Sequence, residues 1–260
     1  MKNTPEIIDT HCHLDIEAFD PDRDEVLRDA RQAGVVAQII PAIEAGGWQR
    51  LLDLCAKHDD LYPALGLHPV FVQQHTQADL DKLAAVIETT RPVAIGEIGL
   101  DFAIKALDRD AQQQLFEAQL VIAKKAGLPV IIHARKSHDE VIKLLKKHHI
   151  SGGSIHAFSG SLQQGMHYHE MGFKLGFGGM LTFERSSKLR RLAHDLPAEA
   201  LLLETDAPDM TVASHRGERN SPQYLPQVLA ALAAARGESI EAVAHYTTHN
   251  ARAAFNYLSG

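Results

Sequence analysis

The chain has 260 residues, 45% hydrophobic and 23% charged, the make-up of a globular protein long enough to bury a core without staples. A formal net charge of −7 excludes a protein that coats nucleic acid through a broad basic surface, but not an enzyme whose bound metal meets phosphate charge locally. Two cysteines, Cys12 and Cys55, are too few for a disulfide scaffold, no apolar run approaches the ~20 residues that span a bilayer, and residues 1–10 lack a basic, then apolar leader. The expectation is a cytoplasmic protein with free thiols, no membrane association and no obligate protein partner.

In chain order, short segments rich in Val, Ile and Leu read as strands at 7–10, 35–40, 62–67, 93–97, 130–133, 154–156, 174–177 and 201–204. Helix-length stretches separate them. Residues 21–33 open on Asp20 and Pro21 as cap and first-turn pair and end at Gly34. Residues 108–126 are amphipathic and closed by Gly127 and Pro129. Residues 137–149 start at Ser137 as candidate cap and carry apolar Val141, Ile142, Leu144 and Leu145. The tail, 222–258, adds helix beyond the eighth strand. Eight strand–helix alternations imply a parallel sheet closed into a single (β/α)8 TIM barrel with an extra C-terminal helix, one domain over residues 1–260. A doubly wound open sheet would place a glycine-rich phosphate turn after the first strand; here that strand runs into His11-Cys12-His13.

On extended backbone, residues i and i+2 share a face. His11 and His13 therefore converge while Cys12 points away, the start of a transition-metal site. Alone the pair could be incidental. Glu97, His133, His156 and Asp206 also fall at the ends of apolar strands, where barrel active sites gather. Four histidines and two carboxylates match the ligand supply of a one- or two-metal hydrolytic centre taking Zn, Mn, Fe, Co or Mg. His68, in Gly66-Leu67-His68-Pro69, could be a further ligand, though a substrate contact is favoured. Arg135, two residues beyond His133, and Arg216, on the loop after the eighth strand, could hold an anionic substrate or serve in structural ion pairs. Other features read as structural. Lys143, Lys146, Lys147, His148 and His149 form a solvated helix face. His167 and His169 lie two apart on a helix and point away from one another, and Cys55 packs a helix.

These residues resemble the TatD family of metal-dependent deoxyribonucleases. The match lies in Asp-Thr-His-Cys-His-Leu-Asp at 9–15, Gly-Leu-His-Pro at 66–69, Gly-Glu-Ile-Gly-Leu-Asp at 96–101, Pro-Val-Ile-Ile-His-Ala-Arg at 129–135, His-Ala-Phe-Ser-Gly-Ser at 156–161, Glu-Thr-Asp-Ala-Pro at 204–208 and Arg-Gly-Glu-Arg-Asn at 216–220. The resemblance implies a TIM barrel with one to three divalent metals at its mouth. By that analogy His11 and His13 bind one metal with Asp206, His133 and His156 bind a second, and Glu97 bridges them. Phe102 stands where the family commonly has tyrosine, Ala157 where it has cysteine, and Asp209 where it has an aromatic residue. The leading expectation is hydrolysis of a phosphodiester in DNA, or of a small phosphodiester, with Asp206 as general base. The alternatives are an amidohydrolase-type ester, lactone or amide hydrolase with the same centre, and a metal-stabilised binding protein.

Overall fold

The structure is a computed structural model that describes residues 4–255. Among these, eight strands hydrogen-bond in parallel in the order of the chain. They are β1 (Ile7–Asp9), β2 (Val35–Pro41), β3 (Leu61–Leu65), β4 (Ala94–Asp101), β5 (Val130–Arg135), β6 (Gly153–Ile155), β7 (Phe173–Phe177) and β8 (Leu201–Leu203). The circle closes at β1 and β8. Thr10 N and Oγ1 both donate to Leu203 O, at 3.1 and 3.0 Å. Beyond the strands, Asp206 N donates to His11 O at 2.8 Å and His13 N to Ala207 O at 2.7 Å.

The helices are α1 (Arg23–Gln32), α2 (Trp48–Cys55), α3 (Gln77–Thr90), α4 (Arg109–Ala126), α5 (His138–His148), α6 (Leu162–Glu170), α7 (Ser187–Asp195), α8 (Leu225–Arg236) and α9 (Ile240–Ala254). Among the described residues none is long and apolar enough to cross a membrane. The fold is the expected (β/α)8 barrel, with α9 as the extra C-terminal helix. The tail is thus two helices, and positions 256–258 of the expected stretch lie outside the described residues.

The first helix starts later than the sequence suggests. Asp22 occupies its N-cap position, and Asp20 instead pairs with Arg23 and Arg50. Ser137 does precede α5, but its hydroxyl donates to Leu100 O at 2.7 Å and caps nothing. Asp108 caps α4 as its sequence position implies, accepting from the backbone N–H groups of Asp110 and Ala111.

Two apolar clusters lie on opposite faces of the sheet. The larger packs strands against the surrounding helices and includes Cys12, Cys55 and Leu232. The smaller fills the barrel with Ile8, Ile39, Ala64, Ala94, Ile131 and Leu202, and meets Ala254 and Phe255 at the end of α9. Because strand side chains alternate, the inward column that starts at Ile131 continues to His133 and Arg135, and that from Leu202 to Glu204, with Asp206 in the turn that follows. In β4 the pairing register slips between Ile95 and Ile98. Ala94 faces inward, while Ile98 and Leu100 belong to the outer cluster. The slip thereby turns Glu97, Gly99 and Asp101 toward the mouth. Glu97 is accordingly inside β4, which runs four residues past it, rather than at its end.

Gly99 makes that arrangement possible. Its φ is +140°, and a Cβ there would stand 2.1 Å from the carbonyl oxygen of His133. Both faults are backbone faults that no rotamer relieves. Gly99→Ala should therefore lose roughly 3 kcal/mol or more of stability in urea unfolding. A loss below about 0.5 kcal/mol, the scale of a neutral surface change, would show that this backbone adapts freely.

Candidate metal centre

The strand exits bring a set of imidazole nitrogens and carboxylate oxygens to one mouth. Glu97 is at its centre, 2% exposed. Its Oε2 is 3.1 Å from His11 Nε2 and 3.7 Å from His13 Nε2; its Oε1 is 3.0 Å from His133 Nδ1 and 3.3 Å from His68 Nε2. Asp206 faces Glu97 across the rings. Its Oδ1 is 3.7 Å from His11 Nε2 and 3.6 Å from His13 Nε2, and its Oδ2 is 3.6 Å from His156 Nε2. Asp206 has φ +59°, a left-handed conformation that Asp tolerates better than most residues. The turn before Pro208 is held by others: Thr205 Oγ1 accepts from Ala207 N, and Asn220 Nδ2 donates to the carbonyls of Thr205 and Asp209.

Donor atoms within 4.8 Å of one another form three sets: His11, Glu97 and His156; His11, His13 and Asp206; and His68, Glu97 and His133. All six residues expected from the sequence as ligands are in these sets, joined by His68. His133 and His156 fall in different sets, with ring centroids 6.3 Å apart.

The far nitrogen of each ring tells which can give a lone pair to a cation. His13 Nδ1 is 3.0 Å from Pro41 O, which only accepts, so that nitrogen carries the hydrogen and Nε2 is free. His133 Nε2 is 3.1 Å from Asp101 Oδ2, leaving Nδ1 for the centre. His156 Nδ1 is 3.1 Å from Glu204 Oε1, close enough for charge pairing though out of line for a hydrogen bond, and leaves Nε2 inward. Such carboxylate and carbonyl partners orient metal-binding imidazoles. His11 Nδ1 is buried and unpartnered among the described residues, and Nε2 points to the centre. His68 differs. Its Nδ1 accepts from Val70 N at 3.2 Å, so a neutral ring carries its hydrogen on Nε2. In that form His68 faces Glu97 with a hydrogen rather than a lone pair.

Charge is tightly coupled here. Burial would raise Glu97, but the surrounding imidazoles, His68 and His11 foremost, hold it well below the usual carboxylate range. Burial likewise works against Asp206, yet His156 and His13 bring it to about 2. His13 is opposed by burial and raised to about 9 by Asp206; His156, also opposed by burial, is raised to about 10 by Glu204 and Asp206. Burial and the neighbouring His156 lower His11. His13, His133 and His156, all raised, thus supply positive charge that the carboxylates require, as divalent cations in the same place would.

Two partners of the centre lack any signal that singled them out in the sequence. Asp101 and Glu204 belong to quoted motifs, but only the inward columns show them reaching His133 and His156. A Cβ on Gly176 would be 2.0 Å from Glu204 Oε2, so glycine there makes room for that carboxylate. Of the expected anion contacts, Arg135 is at the mouth, 63% exposed and 3.7 Å from Asp101 Oδ2. Arg216 is exposed on its loop, and the structural pair belongs to Arg219, which forks onto Asp22 at 2.9 and 2.5 Å. Trp48, unreadable in the sequence, is buried and donates to Gly66 O.

A (β/α)8 barrel with this donor-lined mouth has the make-up of a metal-dependent hydrolase. The family of TatD-related DNases matches residues 8–256. The chain is 41% identical to the uncharacterized metal-dependent hydrolase YjjV of Escherichia coli (strain K12), over 96% of this chain and 97% of that one. It is 34% identical to the 3'-5' ssDNA/RNA exonuclease TatD of Salmonella typhimurium, over 97% and 100% of the two chains. The crystal structure of YjjV superposes with a TM-score of 0.93, covering 96% of this chain and 98% of that one. A TatD family hydrolase from Entamoeba histolytica, 21% identical, shares the fold at a TM-score of 0.86. The chain belongs to the TatD family and is a metal-dependent hydrolase.

A metal must displace the protons on His13 and His156. Because both are raised, to about 9 and about 10, and His133 is raised as well, the metal-free chain holds the protons of His13 and His156 at pH 7–8 and uptake should release at least those two. Affinity should then climb by up to ~10-fold per proton per pH unit as pH rises toward 9, and fall as pH drops. Calorimetric titration with Zn²⁺ in two buffers of unlike ionisation enthalpy measures this. No proton release at pH 7.5 would refute it.

Proposed function

We propose that the protein hydrolyses phosphodiester bonds of DNA, with two divalent cations (Zn, Mn or Mg) held by His11, His13, Glu97, His133, His156 and Asp206. The observation that carries this reading is the convergence of these six side chains, each with its metal-facing atom left available by its other contacts. Bound there, divalent cations lower the pKa of water toward neutrality and offset charge on phosphate oxygens.

The chain's own residues do the rest. Asp206, 15% exposed where Glu97 and Glu204 are each 2%, is the carboxylate of the centre that solvent reaches. Ionised, it takes the proton from the attacking water as the water oxygen bonds to phosphorus and the ester P–O bond breaks toward the leaving group. His68 Nε2 donates a hydrogen bond to a phosphate oxygen. Arg135 holds the substrate's anionic group at the mouth, and Arg216 approaches it from the loop after β8. Relatives named 3'-5' ssDNA/RNA exonuclease TatD, at 34% and 33% identity, support a nucleic-acid substrate. The buried thiols of Cys12 and Cys55 suit a reducing, cytoplasmic setting.

The metal-loaded protein, assayed against single-stranded DNA, an aryl phosphodiester and an aryl carboxylic ester, should turn over the first two and lose that activity to a chelator. Turnover of the carboxylic ester alone would replace this reading by the ester, lactone or amide one.

Removing one donor should affect the centre in part. His133→Ala should lower bound metal per chain while the thermal unfolding midpoint of the metal-free protein stays within a few degrees, because the ring lies at a strand exit beside polar groups. Unchanged metal content and rate would contradict the assignment.

Asp206→Asn should keep much of the metal, since the amide oxygen still coordinates. It should cut turnover by about 10²–10⁴-fold, the usual worth of a positioned base. Turnover at matched metal occupancy decides the matter: activity within a few-fold of the parent would end the general-base role.

A further inference from the structure

Beside the centre the mouth divides into two compartments that share Arg135 and Ser159. The smaller, of about 480 Å³, reaches His133, His156 and Asp206 and is walled by Phe177, Met180, Leu189 and Met210. The larger, of about 740 Å³, extends away from the donor cluster between β5, the start of α5, the start of α6 and α7.

The larger compartment is built for an anion. Arg135, Lys136 and Lys188 line it, and Lys136 and Lys188 are exposed. Among the described residues neither lysine has a carboxylate within ion-pair reach. Of the two carboxylates on its wall, Glu140 is paired by Lys143 Nζ at 2.9 Å, and Asp139 Oδ1 accepts from Gln164 Nε2 at 2.7 Å on the same wall, so three cations face one unpaired carboxylate. His138, 8% exposed, lines it too, with a buried Nε2 that finds no partner among the described residues. With the Ser137 hydroxyl turned to Leu100 O, the first N–H groups of α5 have no side-chain cap on this wall.

We propose that this compartment binds a second phosphate of the substrate, the one neighbouring the scissile diester, through Lys136 and Lys188, with Arg135 bridging the two phosphates. The apolar compartment then takes the sugar or base between them. This deepens the nuclease reading and rests on it: a substrate bearing one phosphate leaves the lysines idle, whereas a single strand with consecutive phosphates uses both compartments. Arg135 suits the bridging place because its guanidinium can offer N–H groups to two oxygen sets at once.

The test is equilibrium binding followed by fluorescence anisotropy. The probes are a labelled dinucleotide with one phosphodiester and a labelled single-stranded hexanucleotide, with parent protein and the double variant Lys136→Ala, Lys188→Ala. Hexanucleotide binding should weaken about tenfold at low salt, the scale of one charge-assisted hydrogen bond. The slope of log affinity against log salt should become shallower by about 0.7, the single-strand value for one lost phosphate contact. Dinucleotide binding should not change. Equal weakening of both probes, or no weakening of either, overturns the second-phosphate site. Turnover of each probe separates the two claims. If the parent cleaves both but the lysines do not matter, the subsite falls and the nuclease reading stands. If the parent cleaves neither yet binds the hexanucleotide in a lysine-dependent way, the nuclease reading falls and, with it, the place of this phosphate beside a scissile diester, leaving the lysines as a strand-binding site only.

Discussion

A carboxylate with 2% exposure is costly to keep ionised unless positive charge touches it. Glu97 has four imidazole nitrogens between 3.0 and 3.7 Å from its oxygens, and much of the mouth is arranged around that fact. The imidazoles repel one another when protonated, so further anions are needed around them. Asp206 serves His11, His13 and His156; Asp101 serves His133; Glu204 serves His156. The outcome is alternating charge in which the inward atoms of His11, His13, His133 and His156 and of the two carboxylates are of the kinds that hold divalent cations. Protons compensate in the metal-free chain, and cations compensate better because one ion meets several oxygens and nitrogens at once.

Barrel closure keeps that arrangement in register. Asp9, fully buried at the end of β1, accepts from Thr205 N at 3.0 Å and Thr205 Oγ1 at 2.6 Å, which ties the first strand exit to the last. Burial lifts Asp9 to about 7 against those bonds, with the Glu204 charge nearby adding to the rise. Asn220 extends the tie by gripping the carbonyls of Thr205 and Asp209. His11, His13 and Asp206 are thus set by backbone bonds between the segments that follow β1 and β8, a rigidity that suits a precise site.

The parts of this design that depend on residue type and period were legible in the sequence. Alternation of apolar strands with helices announced the barrel, and His11-Cys12-His13 announced its inward pair, since Cys12 does join the outer core. Strand limits were less legible where polar residues continue the pairing, as in β4, which runs on through Glu97 to Asp101. A register slip is a relation between two strands and leaves no mark on one of them. For the same reason Asp101 and Glu204 could not be told from ordinary loop carboxylates until their partners were in view. Asp20 looked like a helix cap because cap preference is local, and it lost that place to two arginines, one of them from α2.

The donors and the walls of the mouth answer to different demands. A cluster of histidines and carboxylates activates water whatever ester the water attacks, so the cluster sets the reaction class and the walls set the substrate. Phe102, Ala157 and Asp209, set apart in the sequence within the family resemblance, all lie on the walls. Phe102 lines the larger compartment and carries the Arg109 guanidinium 4.7 Å above its ring; Ala157 and Asp209 line the smaller. Ala157 also has φ +44° and gives its N–H to Glu204 at 2.7 Å, so its backbone serves the centre while its small side chain leaves space for substrate. The two compartments differ in what they offer: Phe177, Met180, Leu189 and Met210 give the smaller apolar contact, whereas Arg135, Lys136 and Lys188 give the larger positive charge.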